Sequence, residues 1–251
     1  MLFRSRDRLD DFRDSIVPAS EWRAISHLIR KWVDQRTPVS YLTGEAWLGG
    51  LRFRSDQRAL IPRSLLVEAL SFCIDEGLIS QASHVLDLCT GSGSILIHAG
   101  HRFPDAALFG SDLSAQALEL ARVNLKEHGL SGRTTLKQGS VLEPWDEDCF
   151  DLILCNPPYV NQGSMRALPA EFLAEPANAL DGGLDGMDFC RSFLSEAQAK
   201  LSDEGQILLE IGHEAAHFDA AFPALEKTWI PVQAGESMVA LITGKALMRL
   251  G

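Results

Sequence analysis

The sequence predicts an α/β protein with a mostly parallel sheet and helices on both of its faces. From residue 84 onward, short apolar runs alternate with segments of helical periodicity, the pattern of parallel strands joined by helices. A glycine-rich turn at residues 87–93 joins the first of these strands to a helix. Another apolar run, residues 152–155, ends in Asn-Pro-Pro-Tyr (156–159), where two prolines exclude helix and further ladder pairing. Ligands bind at the carboxyl ends of the strands in such sheets, so both turns are expected at the functional edge.

Size and composition predict a soluble globular chain. The 251 residues suffice for one large α/β domain and a small appendage, and 46% hydrophobic and 23% charged residues are ordinary values. No apolar run reaches membrane-spanning length, and residues 1–14 are too charged for a secretory signal. The five cysteines are scattered without a CxxC pair, which favours reduced thiols in a cytoplasm. The net charge of −11 argues against a broad nucleic-acid surface but allows a basic protein partner.

The first 36 residues are charged and helical in pattern. An apolar stripe recurs at helical spacing, at Trp22, Ile25, Ile29 and Trp32–Val33. The segment is too short to form a core of its own, so the stripe is expected to pack on its neighbour.

Residues 37–62 are expected to form a β-hairpin linker. Candidate strands at 39–42 and 52–53 flank turn signals at Thr43-Gly44 and Gly49-Gly50. Together with the preceding helix, the linker makes residues 1–62 a short extension before the main domain.

The main domain is expected to begin with a helix at residues 65–74. Strands are predicted at 84–88, 107–110, 134–138, 151–155 and 206–211, with helices from the glycine turn to about 102, at 115–128 and at 188–201. An antiparallel hairpin is predicted to close the sheet, at 228–233 and 238–243. Residues 160–187 form a long polar connection, and connections of that length in compact domains are usually functional.

The glycine turn and the acid after the next strand suit a cofactor that contains adenosine. Gly91 and Gly93 let the backbone approach a ligand, while Asp87 is expected to orient the turn or, through water, an ammonium group. Asp112 is placed for two ribose hydroxyls. Leu96 replaces the third glycine of a dinucleotide motif, and the Asn-Pro-Pro-Tyr turn lies across the mouth of the site. Both features favour S-adenosylmethionine over a nicotinamide dinucleotide.

The Asn-Pro-Pro-Tyr turn suits methyl transfer to a planar nitrogen. An amide or ring-attached amino group delocalises its lone pair and is a poor nucleophile until two acceptors hold its N–H groups. The Asn156 carboxamide oxygen and the Pro157 carbonyl have free lone pairs for this purpose. Tyr159 can stack on the flat acceptor near an incoming sulfonium. No strong base is required, because displacement from a sulfonium depends mainly on alignment.

Other interpretations of these residues stay open. The turn after residue 155 is, on a purely structural interpretation, only a rigid end to a core strand. An RNA or DNA amino-group methyltransferase would use the same acceptors, although it would also need a basic groove. A binding module that keeps the fold without turnover is a further alternative. His213, Glu214 and His217 match the zincin pattern, but they directly follow a strand and lack a third ligand at metzincin spacing, so no metal site is predicted.

Residues 87–93, Asp112 and residues 156–159 together resemble the protein-glutamine N5-methyltransferases, the HemK/PrmC/PrmB group. The resemblance extends over about residues 37–243. It implies a class I S-adenosylmethionine-dependent methyltransferase domain over residues 63–251, Rossmann-like, with a seven-stranded and mostly parallel sheet. The implied reaction methylates the side-chain amide nitrogen of a glutamine in a protein.

Two short segments are closer to the PrmB branch of the group, namely residues 62–64 and the glycine turn. The implied substrate is then a glutamine of large-subunit ribosomal protein L-three, with a release factor as the alternative. The chain departs from the group in a shortened N-terminal helical domain and in Ser140, which stands where relatives usually carry an acid.

The residue pattern and the resemblance together define the predicted site. Acceptor binding is assigned to Asn156, Pro157, Pro158 and Tyr159, with catalytic roles for Asn156, Pro157 and Tyr159. Binding of S-adenosylmethionine, and of its product S-adenosylhomocysteine, is assigned to Asp87, Cys89, Thr90, Gly91, Ser92, Gly93, Asp112, Leu113, Ser140, Val141 and Asn156.

Overall fold

A computed structural model describes residues 16–146 and 149–249. The strands are β1 (Glu45–Leu48), β2 (Leu51–Arg54), β3 (His84–Leu88), β4 (Ala107–Asp112), β5 (Thr134–Gln138), β6 (Phe150–Cys155), β7 (Leu201–Glu210), β8 (Thr228–Val232) and β9 (Gly235–Thr243). The α-helices are α1 (Ala19–Gln35), α2 (Val39–Thr43), α3 (Leu66–Asp75), α4 (Ser94–Arg102), α5 (Ala115–Glu127), α6 (Gln162–Met165), α7 (Asp188–Ala197), α8 (Ala215–Ala221) and α9 (Gly244–Leu247).

Seven of these strands form one sheet in the order β5-β4-β3-β6-β7-β9-β8. The five strands from β5 to β7 run parallel, and β9 is antiparallel to both β7 and β8. The predicted seven-stranded, mostly parallel α/β fold is confirmed. Chain order reverses between β3 and β6, whose carboxyl ends lie side by side with Leu88 opposite Cys155. A crevice at such a switch point is where open α/β sheets bind ligands.

The central strands are apolar on both faces because helices cover both sides of the sheet. Val85 and Leu86 are each fully buried, and they belong to two different cores on opposite faces. Successive strand residues point to opposite faces, so each strand contributes to both cores. The first core includes Leu70 of α3 and Leu96 of α4, and the second includes Phe193 of α7.

The predicted boundaries of α7 and β7 need correction. The helix expected at 188–201 ends at Ala197 and is followed by a single 3-10 turn, Gln198–Lys200. Strand β7 begins at Leu201, five residues before the predicted start. Because residues 202–205 are not hydrophobic, the apolar pattern in the sequence does not predict this part of the strand. Its pairing with β6 is also irregular there.

The predicted strand at residues 39–42 is wrong, because Val39–Thr43 is the short helix α2. Pro38 precedes it with φ −55°, a value suited to a helix start, and Gly44 ends it with φ 72°. The hairpin itself exists, but β1 and β2 form it around a turn at Gly49 and Gly50, with φ values of 51° and 79°. The Gly49-Gly50 turn signal therefore located the hairpin, while residues 39–42 were wrongly assigned to one of its strands.

The expected packing of the N-terminal stripe is also wrong. Helix α1 forms as predicted, but none of its residues is buried, and Trp22 is 59% exposed. The other stripe residues are exposed as well: Ile25, Ile29, Trp32 and Val33. The spacing of apolar residues predicts the helix, but it does not show whether another part of the chain covers its apolar face. The part of the predicted segment before residue 16 lies outside the described residues.

The long connection, residues 160–187, is folded back over the sheet edge. It contains α6 and two single 3-10 turns, Phe172–Ala174 and Ala177–Ala179. Its two ends are joined because Val160 N donates to Leu180 O at 2.9 Å and Gly182 N donates to Val160 O at 2.9 Å. The connection is thus an ordered wall beside the turn that follows β6. Within the described ranges, no helix is long and apolar enough to span a membrane.

Candidate active site

Two adjoining cavities open at the carboxyl edge of the sheet, near the switch between β3 and β6. The first cavity has about 1030 Å³ of empty space, its open mouth included, and is lined by the turn after β3, the end of β4 and the segment after β5. The second has about 880 Å³ and is lined by the turn after β6, the end of β7 and the connection 160–187. Asn156 lines both cavities, so it stands where they meet.

Asp87 supports the glycine turn from within the protein. Its side chain is fully buried, where Oδ2 accepts hydrogen bonds from Thr90 Oγ1 at 2.6 Å and from Leu96 N at 3.2 Å. Oδ1 has no partner among the described residues, and burial raises the pKa of the carboxyl to about 7. Asp87 does not line the first cavity. Of the two predicted roles, the geometry supports orientation of the turn.

The glycine turn presents its backbone to the first cavity. Cys89 and Gly91 both have φ 55°, a left-handed conformation that is uncommon for a residue with a Cβ and typical of functional turns. Gly93, with φ 79°, lies behind the cavity, where a Cβ would come within 3.3 Å of Ala121 Cβ. Its role is the close approach of α4 and α5.

Asp112 lies at the end of β4 and faces the first cavity. Its Oδ2 accepts from Gly91 N at 2.9 Å and its Oδ1 accepts from Ser114 N at 2.8 Å. Burial raises the pKa of this carboxyl. A carboxylate oxygen can accept two hydrogen bonds, so each oxygen keeps one site for an external donor. Two adjacent acceptors of this kind match the two hydroxyls of a ribose.

The first cavity fits the expected cofactor, S-adenosylmethionine. Asp112 supplies the acceptor pair, while Ile95, Leu113, Val141 and Phe189 supply apolar walls for an adenine ring. Nine of the eleven predicted cofactor residues line this cavity: Cys89, Thr90, Gly91, Ser92, Asp112, Leu113, Ser140, Val141 and Asn156. The other two, at positions 87 and 93, shape the turn from behind.

The turn after β6 divides its residues between the two cavities. Pro157 and Tyr159 line the second cavity, Pro158 lines the first, and Asn156 lines both. Within the described part of the chain, the Asn156 carboxamide and the Pro157 carbonyl make no hydrogen bond. Both oxygens are therefore free to accept N–H groups from a ligand in the second cavity.

Tyr159 is fixed at its ring and at its hydroxyl. The ring packs on Gly212, which has φ 52° and where a Cβ would come within 2.6 Å of Tyr159 Cε2. The hydroxyl donates to Glu210 Oε1 at 3.1 Å. Burial, followed by the negative charge of Glu210, raises the pKa of the phenol, so the hydroxyl stays protonated at neutral pH. The contacts with Gly212 and Glu210 thus fix the Tyr159 ring, which lines the second cavity.

An ion pair between an exposed arginine and a buried carboxylate joins the long connection to the segment before α3. Glu175, whose side chain is 2% exposed, accepts from Arg63 Nη1 at 2.7 Å and from Ile61 N at 3.0 Å. The Arg63 guanidinium also lies 4.8 Å from the centroid of the Phe172 ring. Arg63 lines both cavities, so this pair fixes a wall that they share.

The predicted site residues did not include Glu175 or Glu210. Both are buried acids, the whole residues being 6% and 3% exposed. The sequence signal for Glu210 is its place at the end of the apolar run 207–209, where an acid is unusual unless a partner holds it. No comparable signal marks Glu175: apolar residues precede it at 172–174, but they lie in a connection without a strand pattern that would predict burial.

The zincin-like residues have structural partners. Glu214 accepts from Asn161 Nδ2 at 2.6 Å and bonds His217 Nδ1, while His213 is exposed. Glu214 thereby ties the start of α8 to the long connection. In the part of the chain that the structure describes, no group of three or more His, Cys, Asp or Glu side chains could hold a metal ion.

Sequence comparison places these features among known enzymes. The family model "Methyltransferase small domain" matches residues 64–187. The chain is 46% identical over 247 residues to the ribosomal protein uL3 glutamine methyltransferase of Bordetella pertussis, covering 96% of the chain and 82% of that protein. It is 41% identical over 254 residues to the enzyme of the same name from Burkholderia pseudomallei, with 96% and 81% covered.

Among solved structures, the hMettl16 catalytic domain matches with a TM-score of 0.59 at 15% identity, covering 88% of this chain and 90% of that one. At that identity the match shows the fold alone. The sequence identities to the two bacterial enzymes over nearly the whole chain confirm the predicted resemblance. The chain belongs to the family of ribosomal protein uL3 glutamine methyltransferases.

Proposed function

We propose that the chain transfers a methyl group from S-adenosylmethionine to the side-chain amide nitrogen of a glutamine in ribosomal protein uL3. The observation that carries the proposal is the position of Asn156, whose unpaired carboxamide stands between a cavity suited to the donor and a cavity suited to an amide. The names of the relatives from Bordetella pertussis and Burkholderia pseudomallei supply the protein substrate.

The first cavity holds the donor in this proposal. Asp112 accepts the ribose hydroxyls, Leu113 and Val141 enclose the adenine, and the backbone of the turn at Cys89–Gly93 carries the amino-acid part. When bound, S-adenosylmethionine supplies an electrophilic methyl group on a sulfonium. The domain that performs this chemistry is residues 63–251, preceded by the extension 1–62.

The second cavity holds the glutamine amide. Asn156 Oδ1 and the Pro157 carbonyl each accept one amide N–H, which fixes the amide plane and turns the nitrogen toward the first cavity. Tyr159 contacts one face of the amide, and Pro158 keeps the strand end rigid. Once the nitrogen carries the methyl group it is cationic and readily loses a proton to water, so no strong base is needed in the site.

Charge and thiol chemistry support the proposed partner and a cytoplasmic location. A chain of net charge −11 attracts a basic protein and repels a phosphate backbone, which favours a ribosomal protein over RNA or DNA as the direct substrate. All five cysteines are free, as expected for a cytoplasmic enzyme.

Methyl labelling tests the proposal. The purified chain is incubated with S-adenosylmethionine carrying a radioactive methyl group and with uL3, either free or in precursor large subunits from cells that lack this chain. We expect label on one uL3 glutamine, located by mass spectrometry of tryptic peptides. Label on ribosomal RNA alone, or on a release factor but not on uL3, would overturn the assignment.

A further inference from the structure

Glu210 is a buried acid that the proposed reaction does not use. It ends β7, is 3% exposed and lines the second cavity. Among the described residues no cation pairs with it, since the nearby Arg63 is bound to Glu175. A buried carboxylate without a counter-ion is unfavourable unless hydrogen bonds compensate for its lost hydration.

The two oxygens of Glu210 have different partners. Oε2 accepts from Ser64 Oγ at 2.5 Å and from Leu65 N at 2.9 Å, which anchors the carboxylate to the start of α3. Oε1 accepts from the Tyr159 hydroxyl at 3.1 Å. One oxygen therefore fixes the carboxylate, and the other is directed at a residue of the acceptor site.

The hydroxyl of Tyr159 has no other hydrogen-bond partner in the described part of the chain. Its ring cannot move toward Gly212, where the backbone is already in contact with it. The position of the ring in the second cavity is thus set by the glycine on one side and by the carboxylate at its tip.

We propose that Glu210 is a positioning residue for the methyl transfer and that it acts through Tyr159; this inference rests on the proposed function. The carboxylate holds the ring in place and puts a negative charge behind it. During transfer, positive charge moves from the sulfonium to the amide nitrogen, next to the ring. A fixed negative charge in a site of low dielectric stabilises that charge more than it stabilises the neutral amide.

Glu210→Gln separates charge from position. If the Gln oxygen takes the two donors at the start of α3, its NH₂ group faces Tyr159, whose hydroxyl can rotate and accept instead. The ring then stays in place, but the negative charge is gone. We expect kcat to fall about tenfold, with the KM for S-adenosylmethionine within about twofold of wild type, since a charge-assisted hydrogen bond is replaced by a neutral one.

A double-mutant cycle with Tyr159→Phe tests the coupling. Each single variant should lower kcat about tenfold, and the double variant should lose clearly less than the roughly hundredfold product, because the Tyr159–Glu210 hydrogen bond that both variants weaken is lost only once. An equal, independent loss from Glu210→Gln in the Phe background would overturn the proposal, as would full kcat in Tyr159→Phe. Asp151→Asn is the control: it neutralises a hydrogen-bonded acid near the start of β6 that lines neither cavity, and it should leave kcat within about twofold.

A second measurement does not depend on the substrate. The chain has two tyrosines, so in a Tyr41→Phe background Tyr159 is the single tyrosine and can be replaced by 3,5-difluorotyrosine, which has a more acidic phenol. Fluorine NMR should show this phenol ionising at lower pH after Glu210→Gln. An unchanged titration would overturn the contact even with full uL3 methylation, whereas a shifted titration without uL3 methylation would uphold the contact and refute the proposed function.

Discussion

Asn156→Ala tests the centre of the mechanism. The change deletes one of the two acceptors that hold the glutamine amide, while the Pro157 carbonyl remains. Removing one preorganised hydrogen-bonding group that acts in a transition state costs roughly 10²- to 10³-fold in kcat, or about 3–4 kcal/mol. We therefore expect a loss of that size in single-turnover methylation of uL3.

The fold should tolerate this change. The Asn156 carboxamide is only partly buried and bonds no other described residue, so the free energy of unfolding should change by less than about 0.5 kcal/mol. Asn156→Asp is the matched variant, because it keeps an acceptor oxygen at nearly the same volume. It should retain more activity than the alanine variant.

Two assays separate the outcomes. Urea unfolding reports stability, and calorimetry reports the affinity for S-adenosylmethionine, which should fall at most severalfold because Asn156 is one of many residues in the first cavity. A kcat within threefold of wild type would remove Asn156 from the mechanism. A large loss of stability would show that the side chain has a structural partner instead.

Three further changes address the rest of the site. Asp112→Ala should weaken S-adenosylmethionine binding by about 10²- to 10⁴-fold, measured by calorimetry, through loss of two hydrogen bonds to a charged acceptor; unchanged affinity would contradict the ribose assignment. Glu175→Gln should lower the free energy of unfolding by about 1–3 kcal/mol in urea, because it leaves the Arg63 guanidinium against a neutral partner; wild-type stability would show that the pair does not fix the wall. Burial raises the pKa of Asp87 to about 7 from the usual 3.8. Between about pH 4 and about pH 7 this carboxyl therefore binds more protons in the folded state than in the unfolded state. The free energy of unfolding should decline over that range as pH rises, by at most about 4 kcal/mol. Asp87→Asn should flatten that part of the stability curve in urea titrations, and an unchanged slope would assign it to other groups.

Local sequence determined the elements that build the sheet edge. Apolar runs bounded by turn residues gave the central strands β3 and β6, because a strand buried on both faces is apolar at most of its positions. The two prolines after Asn156 end β6, because proline has no N–H group for the ladder. The glycines at 91 and 93 allow the left-handed backbone of the turn after β3. The relative order of these turns along the chain then sufficed to predict that a donor site and an acceptor site share one edge.

Other features required the tertiary structure, since they depend on residues far apart in the chain. Glu175 and Arg63 are 112 residues apart in the sequence, and Glu210 and Tyr159 are 51 residues apart. No local sequence pattern therefore predicts either contact. The same reason explains the N-terminal errors: helical periodicity in α1 shows which face is apolar, but only the packing of the whole chain decides whether anything covers that face. Sequence thus specified the groups that can touch a methyl donor and an amide, while the fold decided which buried acids hold them in place.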